Sequence, residues 1–271
     1  MNKVAVLIPC YNEEKTISEV VAEYKAALPD STVYVYDNNS SDNTYNVAKE
    51  AGAIVRREEY QGKGNVIRRM FADIEADAYL LVDGDMTYDS SVANLMINKL
   101  IDNKLDMVIC ARSEVSGSAY RLGHKFGNYF FTKTVGKIFG KKISDILTGY
   151  KALSRRFVKT FPVHGSGFDI EHEFTVHALE MRLPISEITT EYFPRPDGSE
   201  SKLSTYKDGI KILFSIFKLT FTEKPLISFS IVSLFLLLIG TTWGWFYVVY
   251  PWILTGIIVA LPSAILATGL I

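Results

Sequence analysis

Two carboxylates separated by one glycine, Asp83-Gly84-Asp85, follow directly on the apolar run from Ala78 to Val82. Such a run reads as a buried central strand, and in open parallel sheets ligands bind outside the carboxyl ends of the strands. Two acids this close repel each other unless a cation lies between them. Hard oxygen donors at short spacing suit Mg²⁺ or Mn²⁺, held jointly with the phosphates of a substrate. Gly84 is expected to let the backbone come close to that ligand. The competing reading is a solvated Asp-Gly turn, so the surrounding chain has to decide.

Two further polar clusters stand at the ends of apolar runs. Pro9-Cys10-Tyr11-Asn12-Glu13 follows the run from Val4, and Asp37 to Asn39, the head of Asp37-Asn38-Asn39-Ser40-Ser41-Asp42-Asn43-Thr44, follows Thr32 to Tyr36. The second cluster is turn-forming and rich in helix-capping residues. Strands are expected at 4–9, 32–36, 53–56, 78–82 and 106–111. Helices are expected over 13–28, up to about 51, from Gly62-Lys63-Gly64 to about 74, and over 90–101. This alternation argues for an α/β fold with a mainly parallel sheet and helices on both faces. All three clusters then lie along one edge of the sheet and converge on one ligand. No G-x-G-x-x-G follows the first strand and no G-x-x-x-x-G-K-[ST] occurs, which argues against dinucleotide and P-loop sites. Gly62-Lys63-Gly64 is either an exposed turn or a close-approach loop with Lys63 on a phosphate.

The formal charge of −1 conceals an uneven distribution. All 29 Lys and Arg and all 30 Asp and Glu lie in the first 224 of 271 residues, and the last 47 carry no charge. That pattern implies a water-soluble domain, 1–205, followed by a membrane tail, 225–271, long enough for two spans of about 20 residues each. Trp243, Trp245 and Trp252 gather with Tyr247 and Tyr250 near the middle of the tail, as interfacial anchors do, so a helical hairpin is expected. Between domain and tail, 206–224 patterns as an amphipathic helix lying in the interface, with lysines on one face and Ile210, Leu213, Phe214, Phe217 and Phe221 on another. Lys202, Lys207, Lys211, Lys218 and Lys224 precede the first span, which puts the domain on the cytoplasmic side of the cell membrane.

The segment 112–142 holds seven cations against the single acid Glu114, interleaved with Tyr120, Phe126, Tyr129, Phe130, Phe131 and Phe139. Basic and aromatic residues together suit single-stranded nucleic acid or an anionic bilayer. The apolar tail in the same chain favours the bilayer and argues against nucleic acid. Cys10 and Cys110 fall in apolar runs and read as small core residues in a reducing compartment. The four histidines show no zinc spacing. Lys3 leads straight into the first apolar run, so no cleavable leader is expected.

Ile8 to Glu13, Asp37 to Thr44, Gly62-Lys63-Gly64 and Asp83-Gly84-Asp85, in this order and spacing, resemble the family 2 glycosyltransferases of the GT-A fold. The resemblance implies a nucleotide-sugar donor bound by Pro9, Tyr11, Asn12, Glu13, Asp37, Asn39, Lys63, Asp83, Gly84 and Asp85. Asp37 would lie near the base, and Asp83 and Asp85 would hold a Mg²⁺ or Mn²⁺ ion at the diphosphate. From 107 to 221 the chain is similar to the polyprenyl-phosphate glycosyltransferases. The residues that carry this second likeness are Ala111-Arg112, Arg121 to Asn128, Asp145 to Lys151, Phe168 to Glu173 and Arg195 to Leu203. Thr87 departs from the glutamine common beside the metal in relatives. The Gly198-to-Lys202 segment is one residue longer than in the dolichol enzymes and closer to the bacterial branch.

That likeness implies transfer of a hexose, from UDP-glucose or UDP-N-acetylglucosamine, to a polyprenyl phosphate such as undecaprenyl phosphate, with inversion, for cell-envelope glycans. An acceptor phosphate is already anionic near neutral pH and attacks without a dedicated base. Arg112 and Arg121 are expected to hold it, because a guanidinium fork matches phosphate oxygens. With Asp85 they are the expected catalytic residues. Lys125, Arg195 and Lys202 would meet the acceptor phosphate or lipid headgroups, unless Arg195 and Lys202 close over the diphosphate instead. Glu171 and Glu173 either orient the sugar or are ordinary helix charges. A glycolipid synthase with a lipid-hydroxyl acceptor and a catalytically silent anchoring subunit are the alternatives, and self-association stays open. No Q-x-x-R-W motif of processive synthases is present.

Overall fold

The computed structural model describes residues 3–114, 132–133, 136, 143–162, 165, 167, 170–196, 214, 221 and 225–256. The chain divides into two compact units, 1–213 and 214–271. In the first, a seven-stranded sheet has the order β3-β2-β1-β4-β6-β5-β7. Its strands are β1 Val4–Cys10, β2 Thr32–Asp37, β3 Ile54–Arg57, β4 Ala78–Leu81, β5 Met107–Glu114, β6 Lys151–Ser154 and β7 Ile185–Tyr192. Only β6 runs against the others, lying antiparallel to both β4 and β5.

The central strands β1 and β4 are nearly continuous apolar runs because both faces of the sheet are covered there, whereas β3 and β7 at the edges are mostly exposed or half-buried. Ala5 and Leu7 of β1 point into one core layer with Val66, Ile67 and Met70 of α3 (Lys63–Asp73) and Phe174 of α6 (Ile170–Glu180). Val6, Ile8 and Cys10 point into the other, against Ile17, Val20 and Val21 of α1 (Ile17–Ala27) and Met96 and Ile97 of α4 (Ala93–Asp102). Two short helices, α2 (Thr44–Glu50) and α5 (Arg155–Thr160), complete the layers. Cys10 and Cys110 are buried and free, as expected of core thiols.

The five expected strands and the helices between them are present, with shifted ends. The first helix begins at Ile17, four residues later than expected, because 13–16 form a turn in which Glu13 O accepts from Thr16 N and Ile17 N. β5 extends to Glu114 because it pairs with β7 over eight residues from Met107↔Ile185 to Glu114↔Tyr192. Neither β6 nor β7 was among the expected strands.

In the second unit, α7 (Pro225–Gly244), a π-turn at Trp245–Val249 and α8 (Tyr250–Thr255) form one continuous helical run of 31 residues. Among the described residues it is the one helix long and apolar enough to cross a membrane. At 1.5 Å per residue it measures about 46 Å, which exceeds the ~30 Å hydrocarbon core of a bilayer. The turn of a hairpin does not fall within the tryptophan cluster. The helix passes through it and ends at Gly256 (φ 69°), having used 31 of the 47 uncharged residues. Pro251 does not break it, because the wider π-turn just before, closed by Tyr250 N to Trp245 O, absorbs the missing N–H and the ring. Thr241 and Thr242 donate back to Leu237 O and Leu238 O at 2.8 and 2.7 Å, so their hydroxyls are satisfied in an apolar medium. Apart from 214 and 221, the expected amphipathic helix 206–224 lies outside the described residues, as do Lys202 and most of the basic segment 112–142, with Arg121 and Lys125.

Candidate active site

The register of the parallel strands assembles the site. Cys10 pairs with Asp37 and Asp37 with Arg57 across β1, β2 and β3. On the other side Val82 N donates to Leu7 O at 3.1 Å, so Asp83 emerges at the edge beside the end of β1. The loops after β1 and β2 are then laced together. Asn12 N donates to Ser40 Oγ (2.9 Å), Ser41 N to Asn12 Oδ1 (2.8 Å), Glu13 N to Thr44 Oγ1 (2.9 Å) and Asn43 N to Glu14 Oε2 (2.9 Å). Asn12 and Asn39 adopt left-handed backbone, at φ 52° and 60°, which asparagine tolerates better than most residues. Pro9 pairs with Tyr36 inside the sheet, and Tyr11 stands exposed at the edge.

Asp37 is fully buried. Its Oδ1 accepts from Ser40 N (3.2 Å) and its Oδ2 from Arg57 Nε (3.1 Å). Its neighbour Asn38, a residue sequence reasoning passed over, ties down the approach to α3. The Asn38 amide donates to Glu58 O (3.2 Å) and Tyr60 O (2.8 Å) and accepts from Gly62 N (2.7 Å). The loop that delivers Lys63 therefore hangs on one buried side chain.

The two carboxylates of the Asp83-Gly84-Asp85 turn face different cations. Lys63 Nζ lies 2.5 Å from Asp83 Oδ1 and also pairs with Glu171 Oε1. Glu171 Oε2 in turn binds Lys151 Nζ at 2.9 Å, and Lys151, fully buried on β6, also donates to Thr148 O. The result is a row of alternating charge, Asp83–Lys63–Glu171–Lys151, running from the sheet edge into the core. Burial pushes the Asp83 carboxyl up, Lys63 pulls it down, and the charges of Asp85 and Glu171 raise it again, with a net rise. Asp85 pairs with Arg195 Nη2, while Arg195 Nη1 lies 3.4 Å from Glu13 Oε1. Thr87 binds Asp85 Oδ1 through its hydroxyl at 2.6 Å, so it orients that carboxylate. Arg195 is delivered by the end of β7, where Phe193 N donates to Thr87 O (3.0 Å) and the rings of Tyr192 and Tyr88 pack 5.4 Å apart.

Gly84 is constrained from the core side. A Cβ there would meet Cys10 Sγ at 2.7 Å, so its close approach is to the core of the sheet. A Cβ on Gly149 would likewise collide with the Asp83 carboxylate, so Gly149 makes room for that acid.

The other expected roles are redistributed. Arg112 spends its fork on Asp145, with Nε to Oδ2 at 2.6 Å and Nη2 to Oδ1 at 2.9 Å, and its guanidinium lies 5.4 Å from the centre of the Tyr192 ring. Asp145 is buried, so this pair is a fixed strut in the structure. Glu173 accepts from Gly165 N at 3.1 Å. Glu171 serves the two lysines. Sequence reasoning assigned no role to Asn38, Asp145 or Lys151. Lys151 did leave a signal, as a lone charge inside the apolar run Tyr150 to Leu153.

The donor set suits a hard divalent cation. Two adjacent carboxylates at the sheet edge, one driven up by burial and by its acidic neighbours, supply about as many protein oxygens as Mg²⁺ or Mn²⁺ takes when phosphates complete its shell. Among the described residues no group of three or more His, Cys, Asp and Glu forms a self-sufficient metal cage.

Comparison with known proteins agrees with this geometry. Residues 5–161 match the family Glycosyl transferase family 2. The chain is 32% identical to "Glycosyltransferase AglJ" of Haloferax volcanii over 94% of its own length and 84% of that protein. It is 27% identical to the "Dolichol-phosphate mannosyltransferase" of Pyrococcus furiosus over 91% of its length and 72% of that protein. Among solved structures it is similar in fold to glucosyl-3-phosphoglycerate synthase of Mycobacterium tuberculosis, crystallised with Mn²⁺, UDP-glucose and phosphoglyceric acid. That superposition has a TM-score of 0.65 at 18% identity and covers 80% of this chain and 79% of the other.

Proposed function

From its membership of glycosyl transferase family 2, to which the chain belongs, we propose that this glycosyltransferase moves a hexose from a nucleotide sugar to a polyprenyl phosphate at a membrane surface. UDP-glucose or UDP-N-acetylglucosamine is the proposed donor and undecaprenyl phosphate the proposed acceptor, with the sugar destined for cell-envelope glycan. The observation that carries this reading is the Asp83/Asp85 pair at the convergence of the β1, β2 and β4 ends, flanked by Lys63 and Arg195. Support for the acceptor class comes from the similarity to an archaeal enzyme named for dolichol phosphate. The apolar helix 225–255 supports a membrane setting, and the solved fold neighbour holds UDP-glucose with Mn²⁺.

In the proposed reaction an acceptor phosphate oxygen forms the new bond to the anomeric carbon while the bond to the nucleoside diphosphate breaks, inverting that centre. No proton has to be removed from the acceptor, so the site needs cations rather than a base. Asp83 and Asp85 would hold a divalent cation, which supplies charge stabilisation to the departing diphosphate. Lys63 and Arg195 are the cations nearest that diphosphate, and Thr87 keeps Asp85 aimed at it. Asp37 with Asn12 and Asn39 would bind the nucleoside. The Arg112–Asp145 strut would shape the acceptor side, with Arg121, Lys125 and Lys202 as proposed headgroup contacts.

The test is to reconstitute the full chain in vesicles with undecaprenyl phosphate and a panel of radiolabelled nucleotide sugars. We expect one donor to give a labelled, chloroform-soluble, acid-labile product, with EDTA abolishing it and Mn²⁺ restoring it. Asp85→Ala should remove that activity by at least ~100-fold while the chain stays in the vesicles. Label appearing only on a lipid with a free hydroxyl would overturn the acceptor assignment, and full activity of Asp85→Ala in EDTA would overturn the metal site.

A further inference from the structure

Glu171 and Lys151 lie behind the acidic pair and touch no residue of the nucleoside-binding loops, yet they form the most deeply buried charge cluster described. Lys151 is fully buried, its ammonium 5.4 Å from the centre of the Phe174 ring, and Glu171 is 4% exposed. Removing two charges from water costs several kcal/mol for each ion, and a well-packed apolar pair often serves stability as well or better. Stability alone is therefore a poor reason for the pair. Its geometry suggests another. Glu171 divides its oxygens, with Oε2 fixed by Lys151 and Oε1 turned to Lys63, whose other partner is Asp83. Lys63 has a side chain only 9% exposed and is held between two acids, one of them at the metal-binding turn.

We propose that Lys63 is an exchangeable internal cation, handed from Asp83 to Glu171 when a divalent metal binds Asp83, and that Glu171, anchored by Lys151, is the acceptor that makes the exchange possible. This rests on the metal reading of Asp83 and Asp85 given above. A metal ion and the Lys63 ammonium compete for one carboxylate, because two cations at contact distance repel and the Lys63 side chain is largely out of water. An ammonium leaving Asp83 with no second partner would be a buried unpaired charge. Glu171 already binds it and can keep it without moving it into solvent. Glu171 and Lys151 are thus positioning residues that set metal affinity, and Glu171 does not have to contact the sugar.

The experiment measures binding of Mn²⁺ alone, by the paramagnetic resonance signal of the free ion, to the detergent-solubilised full chain and five variants. Lys63→Met removes the competitor and should tighten Mn²⁺ at least ~5-fold, while Glu171→Gln removes the second partner and should weaken it by a similar factor. Simple through-space charge would give the same two signs, so the double variant decides. If Glu171 acts through Lys63, then Glu171→Gln changes affinity less than ~2-fold in the Lys63→Met background, a non-additive cycle. Additive effects, or Lys63→Met failing to tighten Mn²⁺, would overturn the exchange. Glu171→Asp, which keeps the charge but shortens the reach, should weaken Mn²⁺ as Glu171→Gln does and guards against a folding defect. Asp85→Asn separates the two claims. If it leaves Mn²⁺ binding unchanged, the metal site itself is wrong, whereas loss of binding there with an additive cycle refutes only the exchange.

Discussion

At Gly84 the limiting neighbour is a sulfur atom. A methyl group there would sit 2.7 Å from Cys10 Sγ, while Ile8 and Ile17 stand at ordinary contact distances of 3.4 and 3.5 Å. Gly84→Ala is therefore expected to lower unfolding free energy by about 1–3 kcal/mol through overpacking. Cys10→Ala, which removes the sulfur, should recover most of that loss in the double variant, as read by urea denaturation. No recovery on adding Cys10→Ala would mean that the sulfur is not what limits Gly84. Glu171 makes a second residue-scale case. Burial raises its carboxyl, but Lys151 and Lys63 overcome this and bring it from 4.5 down to about 2. The folded state thus binds this proton more weakly than the unfolded chain, so the stabilisation is complete above about pH 4.5 and is lost as pH falls towards 2. The stability gap between wild type and Glu171→Gln should narrow over that window, and a gap independent of pH would contradict the coupling.

At the scale of elements, precision comes from side chains that tie loops to strand ends. The loop from Glu58 to Gly62 has three of its backbone groups bonded to Asn38, at 2.7 to 3.2 Å. Asn38→Ala leaves those groups without their partner at a largely buried position and should cost about 2–3 kcal/mol. Because Lys63 follows directly, the variant should raise KM for the nucleotide sugar more than it lowers kcat, and should speed proteolysis at 58–62. An unchanged KM would detach this loop from donor binding. β7 works similarly on the opposite side, since its register with β5 and the contact of Phe193 with Thr87 bring Arg195 to Asp85. The alternating apolar and helical segments made β1 to β5 legible from sequence. β6 was not legible, being four residues long and led by a lysine whose compensating acid lies 20 residues away.

For the whole molecule, charge segregation is the governing fact: the last 47 residues are uncharged and every ionised side chain lies in the 224 before them. The helical run 225–255 places Trp243 about 27 Å from its start, near the far edge of a ~30 Å hydrocarbon layer, where indole rings settle. The full chain is expected to resist alkaline carbonate extraction from membranes. Replacing Leu234 and Leu238 with Arg adds about 2.5–3.5 kcal/mol each to insertion and should release a large fraction. Retention of that variant in the pellet would show that another part of the chain holds the membrane.

The order of strands and helices through β5, the polar clusters at the strand ends, the acidic pair and the apolar tail were readable in the chain itself. Each depends on local periodicity or on a short run of residues whose neighbours in space are also neighbours in sequence. The partners of the charges were not readable. The sequence could not show that Asp145, 33 residues away, occupies the fork of Arg112. Nor could it show that the fold sets two lysines, from α3 and β6, against Glu171, for which it left a sugar contact and an ordinary helix charge both open. A buried charge is defined by whatever the tertiary structure brings within a few ångströms, and at that distance one counter-ion outweighs anything the flanking sequence can say.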